Sequence, residues 1–315
     1  MTSQLPEGSS QADYRKAKEE LDSLEASYKD FAADVALGAA GWAPPPWGTA
    51  ADLASLGKSL YKGDWTGALF DAIGIIPIAG DAAKAGKLGK RAKQLEAAID
   101  IAKTKLTRHL ATLIEGRRAA AKKYWDDIVK EGRKKFDDAI KKCSTQACKN
   151  DAATLIGKHY ERTPTGGPGK GEWTDGFRGD GRYKPDPNSD LGQELADFTS
   201  NPKLNPGGKK IDSIPYKNGF PDFGDLVVPA GKGKKAEVEI IQAGNHTTDY
   251  DAANEALQAA TGKTRESLQK ELGTKLTWHH KEDGVTMQLV PEYVHGGSNG
   301  SGHAGGASLS SKEEF

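Results

Sequence analysis

Apolar residues near the start of the chain recur at helical spacing. Tyr14, Leu21, Leu24, Tyr28 and Phe31 share one face, which predicts a helix over Ala12–Leu37 after a polar, disordered start. The run Ala43-Pro44-Pro45-Pro46-Trp47-Gly48 breaks it. Further helices are predicted over Asp52–Tyr61 and Thr66–Ile75, with a turn at Gly63-Asp64-Trp65 between them. From Asp81 to about Lys158 the chain is rich in Ala, Lys, Leu, Glu and Arg, a composition that favours helix. Two long helices are expected there, broken near Gly116 or at Cys143–Cys148.

The pattern changes after Tyr160. Thr163–Asn188 is dense in glycine and proline, with Trp173, Phe177 and Tyr183 interspersed, so it reads either as a linker or as a segment packed on the residues C-terminal to it. Leu191–Ser200 predicts a short helix, and Asn218-Gly219 marks a hairpin turn. Leu226-Val227-Val228 and Ala236–Ile241 predict strands, Asp249–Thr261 and Thr264–Leu272 helices. Thr274–His279 and Thr286–Val290 predict two strands joined at Asp283-Gly284. The fold class expected is α+β: an all-α region over 1–160, then a domain over 161–315.

Composition narrows this picture. Two cysteines exclude a disulfide-dense scaffold; Cys143 and Cys148 either close a small loop or remain free thiols. The formal net charge is zero, but Lys84–Lys149 is basic and the chain beyond it mildly acidic. A polyanion partner would therefore be met by local charge rather than bulk attraction. Met1–Ser10 lacks the basic start and apolar core of a signal peptide, and Ala68–Ala79 is too short to span a bilayer. Neither a cleaved signal nor a stable membrane span is expected.

The chemistry concentrates at the end. Four of the seven histidines, His279, His280, His295 and His303, fall within the last forty residues. Imidazole is a common transition-metal ligand and titrates near neutral pH. Adjacent histidines before one strand and two more after it can surround a divalent ion and supply a base beside it, the equipment of a metal-assisted hydrolase. The glycine-rich stretch 296–302 is a poor helix former and is expected to bend His303 back toward His295.

These residues carry a family resemblance. The stretch TWHHKEDGVTMQLVPEYVH at 277–295, followed by GHAGG at 302–306, resembles the HNH/endonuclease VII superfamily. Within it, the closer likeness is to the Trp-His-His nuclease toxins of bacterial polymorphic toxin systems. YKNGFPDF at 216–223, DYDAAN at 249–254 and GEWTDGFRGD at 171–180 resemble upstream elements of the same toxins. IGIIPIAGDAAKAGK at 73–87 is similar to their pre-toxin segments.

The resemblance implies a ββα-metal core and a DNA endonuclease of low sequence specificity. On it, His279, His295 and His303 ligate one divalent ion (zinc, nickel or magnesium), and His280 is the general base. Gln288 stands near the position of an asparagine that orients the loop of the base. It also implies a secreted effector acting in the cytoplasm of a target bacterium, a cognate immunity protein, and N-terminal helices that meet a secretion component or chaperone. From the residues themselves, Asp222 is placed either behind a histidine or at a turn. Lys232, Lys234, Lys235 and His246 are candidates for contact with substrate. Two other readings use the same histidines: a noncatalytic module holding structural zinc, and an RNase on the same scaffold. The absence of cysteine after Cys148 counts against structural zinc.

Overall fold

The computed structural model describes residues 11–41, 78–231, 233–295 and 301–303. The helices predicted at Asp52–Tyr61 and Thr66–Ile75 lie outside these residues. The fold is α+β, and the chain divides into two compact units, Met1–Leu113 and Ile114–Phe315.

In the first unit, α1 (Gln11–Gly41) lies against the start of α2 (Ile78–Ile140). Leu21, Tyr28 and Phe31 are buried on one face, as their spacing predicts. Glu25 meets Lys103, Tyr28 hydrogen-bonds Glu96 and Phe31 lies under Arg91, so contacts ascend one helix as they descend the other: the pair is antiparallel.

α2 runs unbroken through Gly116, and the helical region breaks at the cysteines instead. A single glycine costs only about 1 kcal/mol in a helix interior, too little by itself to end a long helix. Cys143 and Cys148 form a disulfide across the turn between α2 and α3 (Gln146–Ala152), with Cα atoms 5.4 Å apart.

The second unit begins within α2. Thr163–Asn188 is not a linker. It folds into β1 (Gly171–Phe177) and β2 (Asp180–Pro185), which continue antiparallel into β3 (Ile214–Lys217) and β4 (Phe220–Pro221). α4 (Asp190–Ser200) bridges β2 and β3. Asn218 and Gly219 both have positive φ, 53° and 81°, which closes the two-residue β3–β4 turn.

Leu226–Val228 is not a strand. The N–H groups of Leu226 and Val227 both reach back to the Phe223 carbonyl, so a turn consumes the apolar run. The strand there is β5 (Pro229–Gly231), paired with β6 (Lys234–Lys235). β7 (Glu237–Glu239) is shorter than the predicted Ala236–Ile241. It joins β8 (Leu276–His280) and β9 (Thr286–Pro291) in a three-stranded sheet of order β7-β9-β8. All six residues of the central β9 are buried, because it is covered by neighbours on both edges and packed on both faces.

Between β7 and β8 the chain forms α5 (His246–Thr261) and α6 (Arg265–Leu272). After β9 comes a single helical turn, α7 (Glu292–His295). One core unites these elements, with Phe198, Phe223, Leu257, Leu268, Trp278, Met287 and Leu289 all under 2% exposed.

α2 flanks this core with one face. Arg117, Ala121, Trp125, Ile128, Gly132 and Phe136 recur every three to four residues. Trp125 Nε1 donates to the Glu282 carbonyl in the β8–β9 turn at 3.1 Å, and its ring packs on Phe220. A Cβ on Gly132 would lie 2.0 Å from the Ile156 carbonyl oxygen, so only glycine permits this approach.

Candidate active site

His279 and His280 occupy consecutive positions of β8, and the pleat sends their rings apart. His279 turns toward α7 and the tail. One ring nitrogen of His279, of His295 at the end of α7, and of His303 lie within 4.8 Å of one another. The ring centroids are 5.0 to 5.3 Å apart. Phe223, fully buried, touches all three rings, with centroid distances of 4.7, 5.8 and 5.9 Å. It forms the apolar floor of the cluster.

His303 reaches the cluster because 301–303 is tied down. Ser301 Oγ donates to the Val294 carbonyl at 2.9 Å, and Tyr216 Oη to the Gly302 carbonyl at 3.2 Å. His303 Nδ1 lies 2.8 Å from the Ser301 carbonyl. Donation to that carbonyl fixes the tautomer and leaves Nε2 with a lone pair, the usual outer-shell support of a metal-binding histidine.

Burial holds all three rings in the neutral form. It lowers the pKa of His279 well below the usual imidazole value, with further lowering from His303 and His295. Burial likewise takes His295 down to about 3 and lowers His303. Neutral imidazoles offer the lone pairs a cation needs. His279 Nδ1 and His295 Nε2 are 3.2 Å apart, close to the ~3.3 Å between two nitrogens each bound at about 2.0–2.1 Å to one tetrahedral ion. The set fits one divalent cation.

His280 is held by different partners. Its Nε2 lies 3.1 Å from Asp249 Oδ2, and the two side chains are 3% and 1% exposed. Asp249 also accepts from Ala243 N at 2.7 Å and Gly244 N at 3.1 Å. Burial pushes the Asp249 carboxyl up, but these bonds, with that to His280 foremost, leave its pKa lowered. An ionised carboxylate only accepts. His280 therefore carries a proton on Nε2, which leaves Nδ1 as the ring nitrogen turned away from the carboxylate.

Nothing in the local sequence pattern pairs Asp249 with His280. Asp249 opens the segment 249–254, which in the structure is the scaffold of β8. Tyr250 stacks on His280 and donates to the Trp278 carbonyl at 3.0 Å. Asn254 accepts from Trp278 Nε1 at 2.9 Å. Positions 249, 250, 253, 254 and 257 form one helix face against this strand, and that spacing was the available signal.

Residues 213–305 match the DNase/tRNase domain of colicin-like bacteriocins. No curated protein and no solved structure matches the chain. The match supports a bacteriocin nuclease toxin domain over these residues. It takes in Phe223, Asp249 and all four clustered histidines, and leaves out α2.

The remaining predicted residues are spread more widely. His246, exposed at the first position of α5, sets its ring edge-on to His280 at 5.2 Å. Gln288 lies opposite His279 across β8–β9, but its Nε2 donates to Glu237 at 2.6 Å and its Oε1 is buried without a partner. Asp222 Oδ1 accepts from Gly224 N at 2.9 Å, capping a turn, and among the described residues no histidine bonds to it. Lys234 and Lys235 sit on the β5–β6 hairpin, their ammonium groups on the carbonyls of Ala260 and Gly224. Lys232 lies outside the described residues.

Proposed function

We propose that this chain is an antibacterial toxin whose C-terminal domain, with catalytic residues inside 161–315, is a metal-dependent endonuclease of the HNH type. One observation carries the reading: three neutral imidazoles converge beside a fourth, His280, whose Nε2 is occupied by a buried carboxylate. The family match over the same residues supports it. So does the order of elements, two antiparallel strands followed by a helical turn, which is that of a ββα-metal core.

His279, His295 and His303 would hold the ion. Three nitrogen donors suit zinc or nickel by affinity, while magnesium remains the weaker-binding alternative. Bound there, a divalent ion supplies positive charge to the scissile phosphate and to the departing 3′ oxygen. His280 Nδ1 takes the proton of the attacking water. Asp249 keeps the ring in the tautomer that can do so and balances the imidazolium that results. Tyr250 and His246 fix the plane of the ring, and exposed His246 is placed to meet substrate.

The partners come from the same reading: DNA as substrate, and an immunity protein that covers the site in the producing cell. The helices of 1–160 serve delivery into a target bacterium. Among the described residues no helix is long and apolar enough to cross a membrane.

The test is incubation of the full chain with plasmid DNA, and separately with tRNA, with and without EDTA, beside His280→Ala. Metal-dependent cleavage of plasmid that His280→Ala abolishes, with metal affinity retained, is the expected result. Cleavage of tRNA alone transfers the mechanism to RNA. No cleavage of either under any divalent ion overturns the reading and favours a structural metal site.

A further inference from the structure

The helix that precedes the matched segment reaches the proposed base through a continuous chain of hydrogen bonds. Arg117, on α2, donates from Nη2 to the carbonyl of Gln242 at 3.0 Å. The N–H of the same peptide group, on Ala243, donates to Asp249 Oδ1 at 2.7 Å. The other carboxylate oxygen, Oδ2, holds His280 Nε2 at 3.1 Å. Guanidinium, peptide, carboxylate and imidazole are thus four groups joined by three hydrogen bonds, and the first two run in one direction, so that the guanidinium polarises the peptide that holds the carboxylate.

We propose that Arg117 is a positioning residue for His280, acting through the Gln242–Ala243 peptide and Asp249, so that the part of α2 within the second unit supports the site in addition to any role of the N-terminal helices in delivery. The inference rests on the nuclease reading above.

A cation on a peptide oxygen withdraws electron density and makes the attached N–H a stronger donor. The stronger donor fixes the Asp249 carboxylate, and the carboxylate fixes the ring orientation and tautomer of His280. Several features show that this arm is built and not incidental. Arg117 is half-buried, and its stem packs on the β8–β9 turn, where a Cβ on Gly284 would lie 3.4 Å from its Cγ. Gln242, 1% exposed, is locked in turn by its own side chain on the Thr286 carbonyl at 3.0 Å and by its N–H on the Gly284 carbonyl at 3.3 Å. The Asp249 charge reaches Arg117, opposing the lowering of its pKa by burial. The neighbouring Arg118 meets Glu239 and Asp283, so the helix grips this turn at two adjacent positions.

The test compares full-length wild type, Arg117→Met and Arg117→Lys, each loaded with zinc. Three quantities are read: kcat and KM on plasmid DNA, the His280 tautomer from its imidazole nitrogen shifts by NMR, and zinc affinity. For Arg117→Met we expect a fall of about tenfold in kcat, at the low end of the cost of losing an orienting partner. KM and zinc affinity stay unchanged, and His280 becomes a mixture of tautomers. Arg117→Lys restores most of the kcat and the single tautomer. If Arg117→Met does not fold, Arg117→Gln, which keeps a donor without the charge, carries the same comparison. A variant that loses thermal stability but keeps kcat and the tautomer would show that Arg117 only clamps the turn, and the proposal is then wrong. If wild type cleaves no nucleic acid, the nuclease reading fails by itself, and the tautomer comparison still decides the linkage.

Discussion

Asp249 binds His280 through its Oδ2, 3.1 Å from the ring Nε2, with both side chains almost wholly buried. The carboxylate stands in the first turn of α5 and the imidazole at the end of β8, thirty-one residues later. Replacing Asp249 by Asn keeps the shape but presents an amide donor to Nε2, which drives the ring proton to Nδ1. Cleavage should fall by about 10² to 10⁴, the range that general-base catalysis contributes, while zinc affinity holds. Parallel measurements of plasmid nicking and zinc competition check this; full activity in Asp249→Asn would remove the carboxylate from the mechanism.

Metal removal should be visible without substrate. Zinc at about 100 times its dissociation constant stabilises the folded state by ~2.7 kcal/mol. For a unit of this size that raises Tm by roughly 5–10 °C, and EDTA should reverse it. His279→Ala should abolish the shift together with activity, and His303→Ala should reduce it. A melting curve indifferent to zinc and EDTA would mean that the three imidazoles hold no ion.

Phe223 supports the cluster without contributing a polar atom. Its truncation to Ala opens a cavity beneath all three rings, and destabilisation of about 3–5 kcal/mol is expected in denaturant titrations. Zinc affinity should drop as well, because the rings lose the wall that fixes them. Phe223→Leu should recover most of both. Unchanged zinc affinity in Phe223→Ala would show that α7 and the 301–303 segment orient the rings alone.

A pH effect is expected from a group far from catalysis. His159 lies among Trp125, Tyr160 and Phe220, and burial lowers its pKa to about 4 from 6.5. Above pH 6.5 the ring is neutral in both folded and unfolded chains. As pH falls from 6.5 toward 4 only the unfolded chain takes up the proton, so stability is lost over that window, by up to about 3 kcal/mol. In His159→Phe this contribution should vanish, and the difference between the two stability curves isolates it. Parallel curves would mean that the ring is hydrated when folded.

Local pattern carried much of the fold. The strands at Leu276–His280 and Thr286–Pro291, the Asn218-Gly219 turn and the helix at 190–200 were legible because each is decided by residues close together in sequence. Where a turn competed with an apolar run, as at Leu226–Val228, pattern failed, because hydrogen bonding and not hydrophobicity decides between strand and turn.

By itself the chain's order of residues settled which chemistry was on hand: four imidazoles near one end, without cysteine to close a structural zinc site. Only the tertiary structure decided which side chains meet those imidazoles. It gave His279 and His280 different partners, bore out the return of His303 to His295, and supplied Asp249, Phe223 and Arg117 from distant elements. The reason is physical. Periodicity encodes which side of an element is buried, whereas the partner of a buried polar group depends on which elements pack together, and that is a property of the whole core.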